Sequence, residues 1–187
     1  MMDALINNPW EILKSEEVYD SPWISVTKHD VLDPSKAKGT YSVVHFKHVA
    51  IGVLPLDDNY NTWIVGQYRF PLNKYTWEIP EGGGALTELP VDAAKRELSE
   101  EVGIAAKRWR KIQEFDISNA STDEKGVLFL AQELSFHQAH PDGNEELSVK
   151  KISFEELYQM VLAGEVTDSL SVLAVLRVKD MMNKNEI

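Results

Sequence analysis

At 187 residues, 43% apolar and 26% charged, the chain is long enough to bury one substantial core and short for two full-sized domains. A formal net charge of −11 argues against a broad nucleic-acid or anionic-membrane surface, and the lack of cysteine excludes disulfides and thiolate zinc sites. With no basic leader at its start and no apolar run long enough to span a bilayer, it reads as a cytoplasmic protein.

Taken in order, residues 23–32 alternate in part and read as a strand, Asp33-Pro34-Ser35-Lys36 as a turn, and residues 41–46 as the returning strand. Residues 49–56 are continuously apolar, the pattern of a strand buried on both faces. Asp57-Asp58-Asn59 turns the chain into a further strand at 62–68, and Pro80 with Gly82, Gly83 and Gly84 reads as a loop. A helix over 91–102 follows, with Pro90 at its start and Gly103 at its end. Strands are expected at 109–115, 126–134 and 147–152. Ser153, followed by Glu155 and Glu156, opens a helix to about 162, and Thr167 or Asp168 caps another to about 181. Strands mixed with a few helices predict an α+β fold with a mixed central sheet held between helices.

The chemistry concentrates in EGGGALTELPVDAAKRELSEEVGI, residues 81–104. At about 100° per residue, Glu97 and Glu101 lie about 40° apart on the helix, with Glu100 about 60° to the other side of Glu97. Three carboxylates therefore share one side, beside an apolar stripe of Ala94, Leu98 and Val102. Crowded like charges favour a cation, and hard oxygen ligands suit magnesium, with manganese a substitute. Arg96 can reach Glu88 or Glu100 and orient a carboxylate, and the glycines allow close approach and a backbone carbonyl ligand, that of Glu81. A solvated acidic helix face is the plain alternative.

Gly82, five residues, Glu88, seven residues, then Arg96-Glu97-Leu98-x-Glu100-Glu101-x-Gly103-Ile104 resembles the Nudix hydrolase signature at every fixed position. The resemblance implies an α/β/α sandwich that cleaves a nucleoside diphosphate linked to another group. It implies Glu97 and Glu101 as the principal magnesium ligands, assisted by Glu100 and the Glu81 carbonyl, with Gly82, Glu88, Arg96 and Gly103 as structural supports. Val65-x-Gln67-Tyr68-Arg69 and Trp77-Glu78-Ile79-Pro80-Glu81-Gly82 resemble the ADP-ribose and nucleotide-sugar pyrophosphatase branch. On that likeness Arg69 is a phosphate contact or a surface ion pair, and Glu78 a metal-site support or a solvent-facing strand residue. The branch also implies a dimerising N-terminal hairpin, here residues 1–47, ahead of a hydrolase domain at 48–187. Trp23 is the candidate for stacking on the base.

Further along, Glu124 is a candidate substrate contact, and a loop acid, Glu145 first and Glu146 second, a candidate general base or metal ligand. Asn119 and Ala120 stand where the branch usually carries a proline, which opens the range from ADP-ribose to other nucleotide sugars. Dinucleoside polyphosphates, modified nucleoside triphosphates and a non-catalytic ligand sensor are the alternatives. No role falls to His29, His45 or His48, and His137 and His140 make no metal motif.

Overall fold

Ten strands and three α-helices are described in the computed structural model, which covers residues 7–140 and 146–187. The chain divides into two compact units, one of residues 1–47 with 118–124 and one of residues 48–117 with 125–187.

In the first unit, β1 (Glu11–Asp20), β2 (Ile24–Leu32) and β3 (Lys38–Phe46) form an antiparallel sheet in that order. The expected two-stranded hairpin is thus a three-stranded meander. All ten residues of β1 are exposed, so it carries no in–out alternation from which a strand could be read; its pairing with β2, from Glu11↔Leu32 to Asp20↔Ser25, defines it instead. The 118–124 segment is fastened to β3. Val44 N–H donates to the Ser121 carbonyl (2.9 Å), Tyr41 Oη to the Ala120 carbonyl, and the Asp123 carboxylate accepts from Phe46 N–H (2.9 Å) and pairs with His45 (2.6 Å).

The second unit is organised by β4 (His48–Pro55), which pairs in parallel with β9 (Lys125–Phe136) and antiparallel with β7 (Glu81–Ala85). With β8 (Ile104–Asp116) on the far side of β9, the mixed sheet runs β7-β4-β9-β8. A three-stranded antiparallel sheet, β10-β5-β6, is built from β10 (Ser148–Ser153), β5 (Asn61–Arg69) and β6 (Lys74–Glu78). The stretch expected as a glycine loop is strand β7, because β4 supplies hydrogen-bond partners that a run of glycines does not advertise.

Period-two alternation sorts β4 and β9 between two cores. Ile51 and Val53 with Val127, Phe129 and Ala131 pack under α1 (Pro90–Val102), against Ala93, Ala94 and Leu98. Leu54, Leu56, Leu128 and Leu130 pack with α2 (Phe154–Leu162) and α3 (Ser169–Asn183), meeting Leu157, Leu170, Ala174 and Val178. The sheet therefore lies between helices, an α+β sandwich. The helix starts follow their capping residues: Ser153 Oγ accepts from Glu156 N–H (3.1 Å) and Asp168 Oδ2 from Ser171 N–H (2.7 Å). No helix among the described residues is long and apolar enough to cross a membrane.

Two stability predictions arise here. Gly103 ends α1 at φ 64°, its N–H reaching the Leu98 and Ser99 carbonyls, and a Cβ there would run into the main chain of His137 and Ala139. Gly103→Ala is expected to cost about 2 kcal/mol or more in a urea melt, combining the left-handed penalty with the clash. In the β4–β5 turn, Asp57 accepts from Asn59 N–H (2.9 Å) and Asn61 N–H (2.8 Å) and pairs with Lys151 (3.0 Å). Burial pushes its pKa up, but these donors outweigh it and bring it from 3.8 down to about 2. The depressed native pKa means that Asp57 stabilises the fold above about pH 4 and loses that contribution as pH falls through about 2. Its size, discounted for partial exposure, is about 1–2 kcal/mol. Urea melts from pH 6 to 2 should show the gap between wild type and Asp57→Asn closing across that window.

Candidate active site

Glu97, Glu100 and Glu101 project from one side of α1, and the burial of the helix sets their different surroundings. Glu101 is 3% exposed and its Oε2 accepts the Glu81 N–H at 2.9 Å. The Glu97 carboxylate lies over Gly82, where any Cβ would overlap it. These two acids, four residues apart in the helix, therefore converge on the main chain of residues 81–82 at the start of β7. Glu100 is half-exposed toward Arg96, which donates to Glu97 (2.7 Å), Glu100 (3.1 Å) and the Gly83 carbonyl (3.0 Å) and lies 3.5 Å from Glu88. Burial works against the charge on Arg96, but Glu97, Glu100 and Glu88 outweigh it and hold the guanidinium above its ordinary pKa.

A second set of acids gathers at Glu81, the first residue of β7. Glu78 is 1% exposed, accepting from Arg69 Nε (3.2 Å) and Gln67 Nε2 (2.8 Å), with Arg69 Nη2 2.8 Å from its other oxygen. The solvent-facing position left open for Glu78 is thereby excluded. Arg69 also donates to Glu81 Oε1 at 2.7 Å. Asp168, 87 residues further on, places a carboxylate oxygen within 4.8 Å of one from each of Glu78 and Glu81. Glu81 Oε2 is buried with no hydrogen-bond partner. Burial first, then the charges of Asp168 and Glu78, push the Glu81 carboxyl well above its usual range; burial likewise raises Glu78 despite Arg69.

Asp168 is the residue that sequence reasoning read only as a helix cap. Its capping signature was visible, but its approach to residues 78–81 is a product of tertiary packing. Of the other candidates, Trp23 is 69% exposed between β1 and β2 in the first unit. Glu124 belongs to the same unit, half-buried, and burial raises its pKa. Glu146 is exposed just ahead of β10, and Glu145 lies outside the described residues.

Carboxylates on α1 and the glycine strand β7 thus form a carboxylate-rich, all-oxygen site. Residues 46–174 match the NUDIX domain. The chain belongs to the Nudix family. Residues 10–44 match the nucleoside diphosphate sugar hydrolase N-terminal domain. The Nudix chain is 32% identical to the ADP-ribose pyrophosphatase of Bacillus subtilis, over 87% of its own length and 89% of that protein. It is 30% identical to the ADP-ribose pyrophosphatase of Mycobacterium tuberculosis, over 93% and 85%. A crystal structure of an ADP compounds hydrolase superposes with a TM-score of 0.84, covering 95% of this chain and 97% of that one at 19% identity, which extends the likeness to the whole fold.

The donor set fits the divalent cation that this family uses. Glu97 and Glu101 bring anionic oxygens to one stretch of backbone, and Gly82 keeps that space clear of a side chain. Hard, oxygen-only ligation of this kind would suit a hard divalent cation.

Proposed function

We propose that the chain hydrolyses the pyrophosphate bond of ADP-ribose or a nucleoside diphosphate sugar, releasing a nucleoside monophosphate and a sugar phosphate. The observation that carries this reading is the convergence of Glu97 and Glu101 on the main chain at Glu81 and Gly82, within a complete Nudix box. Glu97, Glu101 and Glu100, with the Glu81 carbonyl, hold magnesium, and manganese substitutes for it. When bound, the cation supplies Lewis acidity toward the phosphoryl oxygens and toward water. Arg96 aligns Glu97 and Glu100, and Glu88 steadies Arg96.

Water adds to one phosphorus, its proton passing to Glu145 or Glu146, while the bond to the bridging oxygen breaks and its electron pair leaves with the departing phosphate. Positioning and charge neutralisation supply most of the rate, as in phosphoryl transfer generally. Arg69 is the nearby guanidinium suited to phosphate oxygens; its links to Glu78 and Glu81 set its position, and a substrate phosphate competes with them. Trp23 offers a stacking face for the base and Glu124 a polar contact. The exposed Ile12, Val18 and Tyr19 on β1 support a homodimer formed through the N-terminal sheet.

A panel of ADP-ribose, several nucleotide sugars, diadenosine polyphosphates and oxidised nucleoside triphosphates, each with magnesium, tests the assignment by chromatography. Release of a nucleoside monophosphate from the sugar-linked members is the expected result. Preference for the polyphosphates or triphosphates would replace it, and a folded, metal-binding protein silent on every member would point to a sensor.

A further inference from the structure

The four residues that deliver the chain to the box acids are each anchored. Glu78 is held by Arg69 and Gln67, the Pro80 carbonyl accepts from Val53 N–H (2.8 Å), and Glu81 N–H donates to Glu101 (2.9 Å). Ile79, the residue just past the end of β6, donates its N–H to Ser171 Oγ at 2.9 Å. This last bond differs from the rest in coming from α3, an element that contributes nothing to the Nudix box. Ser171 is fully buried in the first turn of α3, and its own N–H is taken by the Asp168 cap at 2.7 Å. The hydroxyl is therefore fixed by the helix start and directed at a single backbone donor two residues ahead of Glu81. Leu170, next to it, packs toward Gly52 and Ile79, so the helix start is wedged against the same corner.

We propose that Ser171 is a positioning residue for the cation site: by holding Ile79 it sets the direction in which Glu81 and Gly82 meet Glu101 and Glu97. The inference rests on the reading that those glutamates hold the cation. A hydroxyl serving only to satisfy a buried N–H would influence stability and leave the cation untouched. A hydroxyl that aligns ligands influences affinity, as supporting hydrogen bonds do around metal sites.

The experiment is calorimetric titration of the full chain with Mn2+ alone, comparing wild type, Ser171→Ala, Glu101→Gln and Val178→Ala. Val178 is fully buried on α3 about two turns further on, so its truncation loosens the same helix away from the corner. The expected result is about tenfold or greater weakening in Ser171→Ala, with Val178→Ala binding as wild type despite a lowered Tm and Glu101→Gln losing binding. Ser171→Ala binding as wild type while Glu101→Gln loses the ion would overturn the proposal and spare the site. Equal weakening in Ser171→Ala and Val178→Ala would overturn it as well, since the effect would be general to the helix. Wild-type binding by Glu101→Gln would bring down the cation reading itself, and the proposal with it. Should Ser171→Ala fail to fold, Ser171→Cys keeps a γ atom, slightly larger than the hydroxyl and a poor acceptor, and carries the same expectation.

Discussion

Glu101→Gln is expected to lower turnover of ADP-ribose about a thousandfold or more while leaving the fold intact. Glu101 is buried on α1 and its Oε2 accepts the Glu81 N–H. Glutamine has the same shape and retains an oxygen for that N–H, so the corner of the chain stays tied to the helix. What disappears is the negative charge, which a cation site needs and a neutral amide cannot replace. In metal-free buffer the Tm should not fall, because one member of a crowded acidic group has been neutralised. Steady-state kinetics at saturating magnesium, with a thermal melt alongside, checks both halves. Activity within about tenfold of wild type would remove Glu101 from the reaction.

Gly82→Ala is expected to cost about a hundredfold in kcat/KM through displacement of one carboxylate. Gly82 pairs with Ile51 across β4 and β7, and its φ lies outside the left-handed region, so alanine is tolerated by the backbone. Its Cβ, however, would occupy the position of the Glu97 carboxylate, a flexible group that can only swing away. The strand should survive and the site should not. Half-saturating magnesium should rise by about tenfold, in keeping with a misplaced ligand. The neighbouring Gly83→Ala is an internal control, since a Cβ there meets only His48 at an ordinary 3.6 Å. Kinetics of the pair at varied magnesium reads the difference, and equal effects at both positions would contradict the placement of Glu97 over Gly82.

The contrast between these two glycines shows where the sequence is legible. Helix periodicity put Glu97, Glu100 and Glu101 on one side of α1, and Pro90, Gly103, Ser153 and Asp168 marked helix ends, because those signals are local and each follows from backbone hydrogen bonding. Continuous apolarity over residues 49–56 identified the strand at the centre of the sandwich. Strands whose existence depends on a partner escaped. β1 is exposed throughout and β7 is mostly glycine. The links among Arg69, Glu78, Glu81 and Asp168 join residues up to 90 apart (168 − 78), from Glu78 to Asp168, a separation over which no periodicity carries information. Ser171 escaped for the same reason: its hydroxyl could be placed in a helix, but not against Ile79.

The central claim is hydrolysis of a sugar-linked diphosphate that depends on a cation held by the box glutamates. Its most direct test is incubation of chelator-stripped protein with ADP-ribose, with and without added magnesium, followed by quantification of AMP and ribose 5-phosphate. The account predicts equimolar appearance of the two products with magnesium and none without it. Product formation indifferent to chelation, or intact ADP-ribose in the presence of magnesium, would contradict it.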